Sequence, residues 1–136
     1  MEVDIATGIP AFSIVGLGDA AVQESRERVR SAVKNSGYGF PSKRITVNLA
    51  PADTRKSGPS FDLPIALGIL LGDSIISKKD LSTIYFLGEL ALDGKIREIA
   101  GVLPAILFAK SHGASSIIIP KGNLDEASIV PGIQVF

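Results

Sequence analysis

Leu63 to Leu71 reads LPIALGILL and is apolar on nearly every side. A helix of this kind has no polar face to offer water, so other elements must cover it all round. Pro64 falls in its first turn, where a missing N–H leaves no hydrogen bond unmade. The chain therefore needs a core that reaches more than one side of a helix. With 136 residues, 46% of them hydrophobic, it has the means to build one.

The segments around that helix alternate between two periods. Val3–Ala6 and Ala11–Val15 read as strands separated by the turn Thr7-Gly8-Ile9-Pro10. Asp19 then suits an N-cap, for a helix running to about Ser36 with Val22, Val29, Ala32 and Val33 on one face and Gly37 at C′. Arg44–Leu49 alternates as a strand should, with Ile45, Val47 and Leu49 facing one way. Residues 84–99 read as a hairpin, because Asp93-Gly94 between two strand-like runs is the signature of a type I′ turn. A helix over Val102–His112 follows, with Pro104 in its first turn and Gly113 past its end. Ser116–Ile119 reads as a strand, Asn123 as a cap for a short helix over Leu124–Ala127, and Ile133–Phe136 as a last strand. The order predicts an α+β domain with one mixed sheet and helices packed on it, a single domain over residues 1–136. Met1 leads straight into a strand and Phe136 ends inside one, so the reading takes the chain as a piece of a longer protein.

Composition removes several kinds of chemistry. The chain has no cysteine, which excludes a disulfide scaffold, a thiolate metal site and a cysteine nucleophile. His112 is the only histidine, so a multi-histidine metal site is excluded too. Its place before Gly113 suits a helix cap better than a catalytic base. GLGDAA, Gly16–Ala21, has the spacing of a dinucleotide-binding turn, yet Asp19 and Glu24 put negative charge where a pyrophosphate would sit. The sequence has no Gly-x-x-x-x-Gly-Lys-Ser/Thr, so P-loop hydrolysis of ATP is not expected of this chain alone. No signal peptide and no apolar run of membrane-spanning length is visible, and the expected location is the cytoplasm.

Charge is unevenly spread in a chain of zero net charge. Arg26, Arg28, Arg30, Lys34, Lys43, Arg44, Arg55 and Lys56 face only Glu27 and Asp53 between positions 26 and 56, a surplus of six positive charges. Such a stripe suits a phosphate backbone, and Tyr38 and Phe40 within it suit the stacking of bases. These eight residues are the candidate DNA contacts. A solvated helix face with ordinary pairs such as Glu24–Arg28 is the plainer alternative.

KSGPSFD, Lys56–Asp62, sets a serine between a Gly-Pro turn and the apolar helix. Serine is a weak nucleophile without a base in reach, and no lysine lies in an apolar context: Lys56, Lys95, Lys110 and Lys121 all flank turns or ends. Asp62 reads as the N-cap of the helix and Ser60 as a turn residue.

GIPAFSIVGLGDAAVQESRERVRSAVKNSGYGFPSKRITVNLAPAD, GPSFDLPIALGIL and FLGELALDGKIREIAGVLPA together resemble the N-terminal domain of the magnesium-chelatase-like AAA+ ATPases, the ComM/YifB family. The likeness covers nearly the whole chain. It implies the fold of ribosomal protein S5 domain 2, shared with the Lon peptidase domain. It also implies a downstream AAA+ module that binds ATP and Mg and assembles as a homo-hexamer. The family's link to processing of incoming DNA in natural transformation implies single-stranded or branched DNA as a partner and no membrane. The KSGPS stretch resembles the nucleophile motif of Lon peptidases, which places Ser60 at their nucleophile. Ala100–Asn123 resembles the segment bearing their catalytic lysine, and Leu103 stands at that lysine's position. Phe61 replaces the small residue that follows the Lon nucleophile and is expected to crowd the site. The resemblance thus implies a vestigial nucleophile, with no catalytic residue, cofactor or metal of the chain's own. A Lon-type Ser-Lys peptidase and a protein-docking domain of a metal chelatase are the rival readings.

Overall fold

The computed structural model describes residues 1–16, 18–50, 58–77 and 81–136. Three strands form the first sheet: β1 (Glu2–Ala6), β2 (Ala11–Val15) and β3 (Arg44–Asn48). β3 lies between the other two, antiparallel to β1 and parallel to β2. The turn after β1 therefore carries the chain past β3, and β1 and β2 do not pair. Register puts Val3 opposite Val47 and Ile14 opposite the same Val47, so one face of the sheet is an apolar row. Phe12, Ile14, Ile45 and Val47 on that face are buried.

Two helices cover it. α1 (Ala20–Asn35) starts where Asp19 Oδ1 accepts the Val22 N–H at 2.9 Å. It ends at Gly37, whose φ of +83° lets the Gly37 and Tyr38 amides reach back to the Lys34 and Val33 carbonyls. Val22, Val29, Ala32 and Val33 face the sheet and are buried. α2 (Asp62–Gly72) lies against α1 and β1. Gly68 makes that approach possible, since a Cβ there would meet Val3 Cγ2 at 2.7 Å.

Among the described residues the expected single mixed sheet is instead three small sheets. β4 (Ile84–Phe86), β7 (Ser116–Ile118) and β8 (Gln134–Val135) form an all-parallel sheet in the order β4-β7-β8. β5 (Glu89–Leu90) and β6 (Ile96–Arg97) form a separate antiparallel pair. The break falls at Leu87-Gly88. The Leu87 amide still donates to Ile118, but Gly88 gives its N–H to the Ser60 carbonyl and accepts from Leu63. The backbone groups that would extend the β4 ladder are thus satisfied by the start of α2, so the strand leaves one sheet for another.

The hairpin is correspondingly shorter than residues 84–99. It spans β5 and β6, closed by a three-residue loop in which Lys95 O accepts the Ala91 N–H at 2.8 Å. Gly94 alone has positive φ, +89°, whereas a type I′ turn needs it at both central residues. Asp93 instead accepts the Lys95 N–H and pairs with its ammonium, which holds the Asp93 carboxyl below its ordinary value.

α3 (Val102–Ser111) and α4 (Leu124–Ala127) complete the helices of the described residues. Val102, Ile106 and Ala109 pack with Ile117, Ile119, Ala127 and Val130 in a second apolar cluster beside the parallel sheet. His112 ends α3, its ring stacked on Phe108 at 4.0 Å and its Nδ1 donating to the Phe108 carbonyl. Asn123 is not a side-chain cap for α4. Its amide group is occupied by the Ile99 N–H and C=O at 3.1 and 2.9 Å.

Candidate nucleic-acid interface

α1 carries four of the candidate cations, and helical geometry divides them. Arg26, Arg30 and Lys34 recur every fourth residue and share one face, while Arg28 points about 200° from Arg26 at roughly 100° per residue. Arg26 is exposed and donates from Nε to the Gln23 carbonyl at 3.3 Å. Lys34 is exposed, and Arg30 is half-buried with its guanidinium 5.5 Å from the Phe40 ring centre. Lys43 and Arg44 are exposed at the start of β3. Lys43 Nζ is 2.6 Å from Asp73. Arg55 and Lys56 lie outside the described residues.

Arg28 goes to the core. Its Nε is 2.6 Å from Asp62 Oδ2, and its Nη2 donates to Asp62 Oδ1, the Ala21 carbonyl and Ser25 Oγ. Asp62 is fully buried and also accepts the Leu90 N–H at 3.1 Å. The Arg28–Asp62 hydrogen bond and the Asp62 charge raise the Arg28 guanidinium above its already high ordinary value, against the opposing effect of burial. Asp62 is thus the first residue of α2 and an ion-pair partner that ties α1, α2 and β5 together. It is not the N-cap its position suggested.

Arg30, Lys34 and Lys43 converge on a cleft of about 190 Å³, walled by Phe40, Pro41 and the start of β2. Phe40 leans on Phe12 at 5.6 Å between centroids, so it is a wall beneath Arg30 and not a free stacking surface. Tyr38 is exposed but lines a different, apolar groove beside Leu63 and Leu90. The Pro41-Ser42 link that closes the cleft had no signal in the charge pattern. Its only cue was its place between an aromatic residue and Lys43.

The two other sequence motifs resolve into structure. At the Gly-rich turn, Gly16 has φ +105°, and a Cβ there would meet the Leu49 carbonyl oxygen at 2.6 Å. Asp19 occupies the end of α1 with its own carboxylate, Oδ1 on Val22 and Oδ2 on the Gly58 N–H at 3.2 Å. Ser60 sits in a 3-10 turn, Pro59–Phe61, that leads into α2. Phe61 packs against the first apolar cluster, and Leu103 packs against the second. The Leu103 amide donates to Glu126 Oε1 at 3.1 Å, which starts α3. No group of three or more metal-ligating side chains is present among the described residues. No helix among them is long and apolar enough to cross a membrane.

Fold and site together define an α+β domain with mixed small sheets, in which basic side chains of α1 meet those at the start of β3. The chain belongs to the family described as "Subunit ChlI of Mg-chelatase", whose profile matches residues 1–123. It is 48% identical over 130 residues to "Competence protein ComM" of Haemophilus influenzae, covering 96% of this chain and 25% of that protein. It is 42% identical over 132 residues to YifB of Escherichia coli, covering 97% and 26%. A more distant likeness, 32% over 130 residues, links it to the mitochondrial Lon protease homolog of Saccharomyces cerevisiae, covering 90% and 11%. The chain spans about a quarter of the length of the ComM and YifB relatives.

Proposed function

We propose that this chain is the non-catalytic N-terminal domain of a ComM-type, magnesium-chelatase-like AAA+ ATPase, and that it guides single-stranded or branched DNA toward the ATP-driven module. The observation that carries this reading is the shared face of Arg26, Arg30 and Lys34, none of which has a carboxylate partner among the described residues. Kinship with a protein named for competence supports DNA as the polymer. ATP and Mg belong to the downstream module in this reading, which forms a cytoplasmic homo-hexamer. Its ring geometry gives weak single-domain contacts their avidity. The domain itself takes the ribosomal protein S5 domain 2 fold.

Phosphate contacts release counterions, so binding falls steeply as salt rises and shows no sequence preference. Fluorescence anisotropy with single-stranded and forked oligonucleotides tests this. Reversing Arg26, Arg30 and Lys34 to glutamate weakens binding, and reversing Lys95, on the β5–β6 hairpin, does not. Equal affinity after the triple reversal removes DNA guidance. The family's chelatase description favours protein docking as the second reading. In that case the oligonucleotides do not bind and the face of α1 contacts another polypeptide.

A further inference from the structure

The cleft at the end of α1 has the makings of a site for one small anion. Arg30, Lys34 and Lys43 surround it, Phe40 and Pro41 wall it, and the exposed Ser42 lines it. Three cations face one carboxylate, Asp73, which stays with Lys43 at 2.6 Å. Several other cations are matched to acids, Arg28 to Asp62, Lys95 to Asp93 and Arg97 to Glu89, while Arg26, Arg44, Lys110 and Lys121 have no carboxylate partner among the described residues but do not line the cleft. Arg30 and Lys34 have no such partner among the described residues.

Arg30 also leaves a donor unused. Its guanidinium lies 5.5 Å from the Phe40 ring centre, and its Nε is covered while lacking any acceptor among the described residues. A covered donor without an acceptor is uncommon in folded proteins and invites an explanation. An oxyanion at the guanidinium edge supplies one, because a small turn of the side chain presents Nε and an Nη together to two oxygens. Arg and phosphate match in that two-pronged geometry, and the amines add charge without direction. The volume, about 190 Å³, falls below the ~300–1,000 Å³ of sites for drug-sized ligands and suits a single tetrahedral group.

We propose that this cleft binds one phosphate group, through Arg30 with Lys34 and Ser42 around it. Its assignment to the backbone of a DNA strand rests on the function proposed above, while the phosphate chemistry does not.

The test has two arms on the 136-residue chain. In the first, inorganic phosphate is titrated at constant ionic strength, followed by NMR at the Arg30 Nε–H and the Ser42 and Lys43 amides. A saturable shift confined to these groups is expected, weakened several-fold in Lys34→Ala and only partly kept in Arg30→Lys. Lys95→Ala leaves it unchanged. Lys34 is exposed, so its substitution keeps the fold and remains informative even if an Arg30 variant fails to fold. In the second arm, a labelled single-stranded oligonucleotide is bound and inorganic phosphate competes for it. Competition, with weaker binding in Lys34→Ala, places a backbone phosphate in the cleft. A phosphate shift without competition keeps the site and overturns its assignment to DNA. Absence of a saturable shift at Arg30 overturns the site itself, whatever the oligonucleotide does.

Discussion

Arg28 Nε lies 2.6 Å from Asp62 Oδ2, a contact that draws one cation of the basic segment inward and joins α1 to the first residue of α2. The Asp62 side chain is 0% exposed and that of Arg28 19%. Removing one partner leaves the other charge under cover without compensation. Asp62→Ala should therefore cost about 3–5 kcal/mol, the usual result of breaking a buried pair. The loss is read from chemical denaturation. Replacing both residues by apolar ones of similar volume should recover much of it. A cost below about 0.5 kcal/mol, the range of plain surface changes, would mean the pair does not organise the core.

Within α2, Ile69 is wholly buried, and Leu67 is only half-buried along a cleft beside Ile84 and Phe86. Ile69→Ala should cost about 2–5 kcal/mol through lost burial and the cavity left behind. Leu67→Ala should cost less than Ile69→Ala in the same urea titration. The reverse order would place the helix in the core by its other face.

Gly94 combines a φ of +89° with a close approach to Ser36 and the Ala32 carbonyl at the end of α1. Gly94→Ala should destabilise the chain by about 1–3 kcal/mol, the range for one strained backbone position. Adding Ser36→Gly relieves the steric part and leaves the backbone part. If thermal denaturation shows no loss, the loop tolerates a side chain, and the Gly94 conformation does not hold the hairpin against α1.

Ser60 should be chemically inert. By the resemblance to Lon peptidases, Leu103 stands where their lysine is expected, and it packs against the second apolar cluster. A serine without a base is a poor nucleophile. Incubation with unfolded casein should give no cleavage, and a serine-reactive probe should give no labelling at Ser60. Labelling that disappears in Ser60→Ala would restore the peptidase reading.

Local pattern carried much of this protein. Asp19 as a cap, Gly37 and Gly113 past helix ends, and the alternation of Ile45, Val47 and Leu49 all act over a few residues, and their chemistry is written in sequence neighbours. The near-total apolarity of 63–71 likewise announced a helix in the core, although the side bearing Leu67 and Leu71 is only half covered and lines a cleft. The candidate cations were visible as a charge surplus, but not their sorting. Whether Arg28 serves solvent or core depends on Asp62, 34 residues away, and on a Leu90 amide that needs an acceptor. The same holds for the sheets. Which strand receives the backbone groups of Gly88 is decided by the start of α2, so one expected sheet became three. The convergence of Arg30 and Lys34 with Lys43 needs α1 to lie against β2 and the chain leading into β3 to come beside it. Hydrogen-bond and charge partners distant in sequence are chosen only once the chain is packed, because burial makes an unpartnered group costly and so selects among arrangements that local propensity leaves equal.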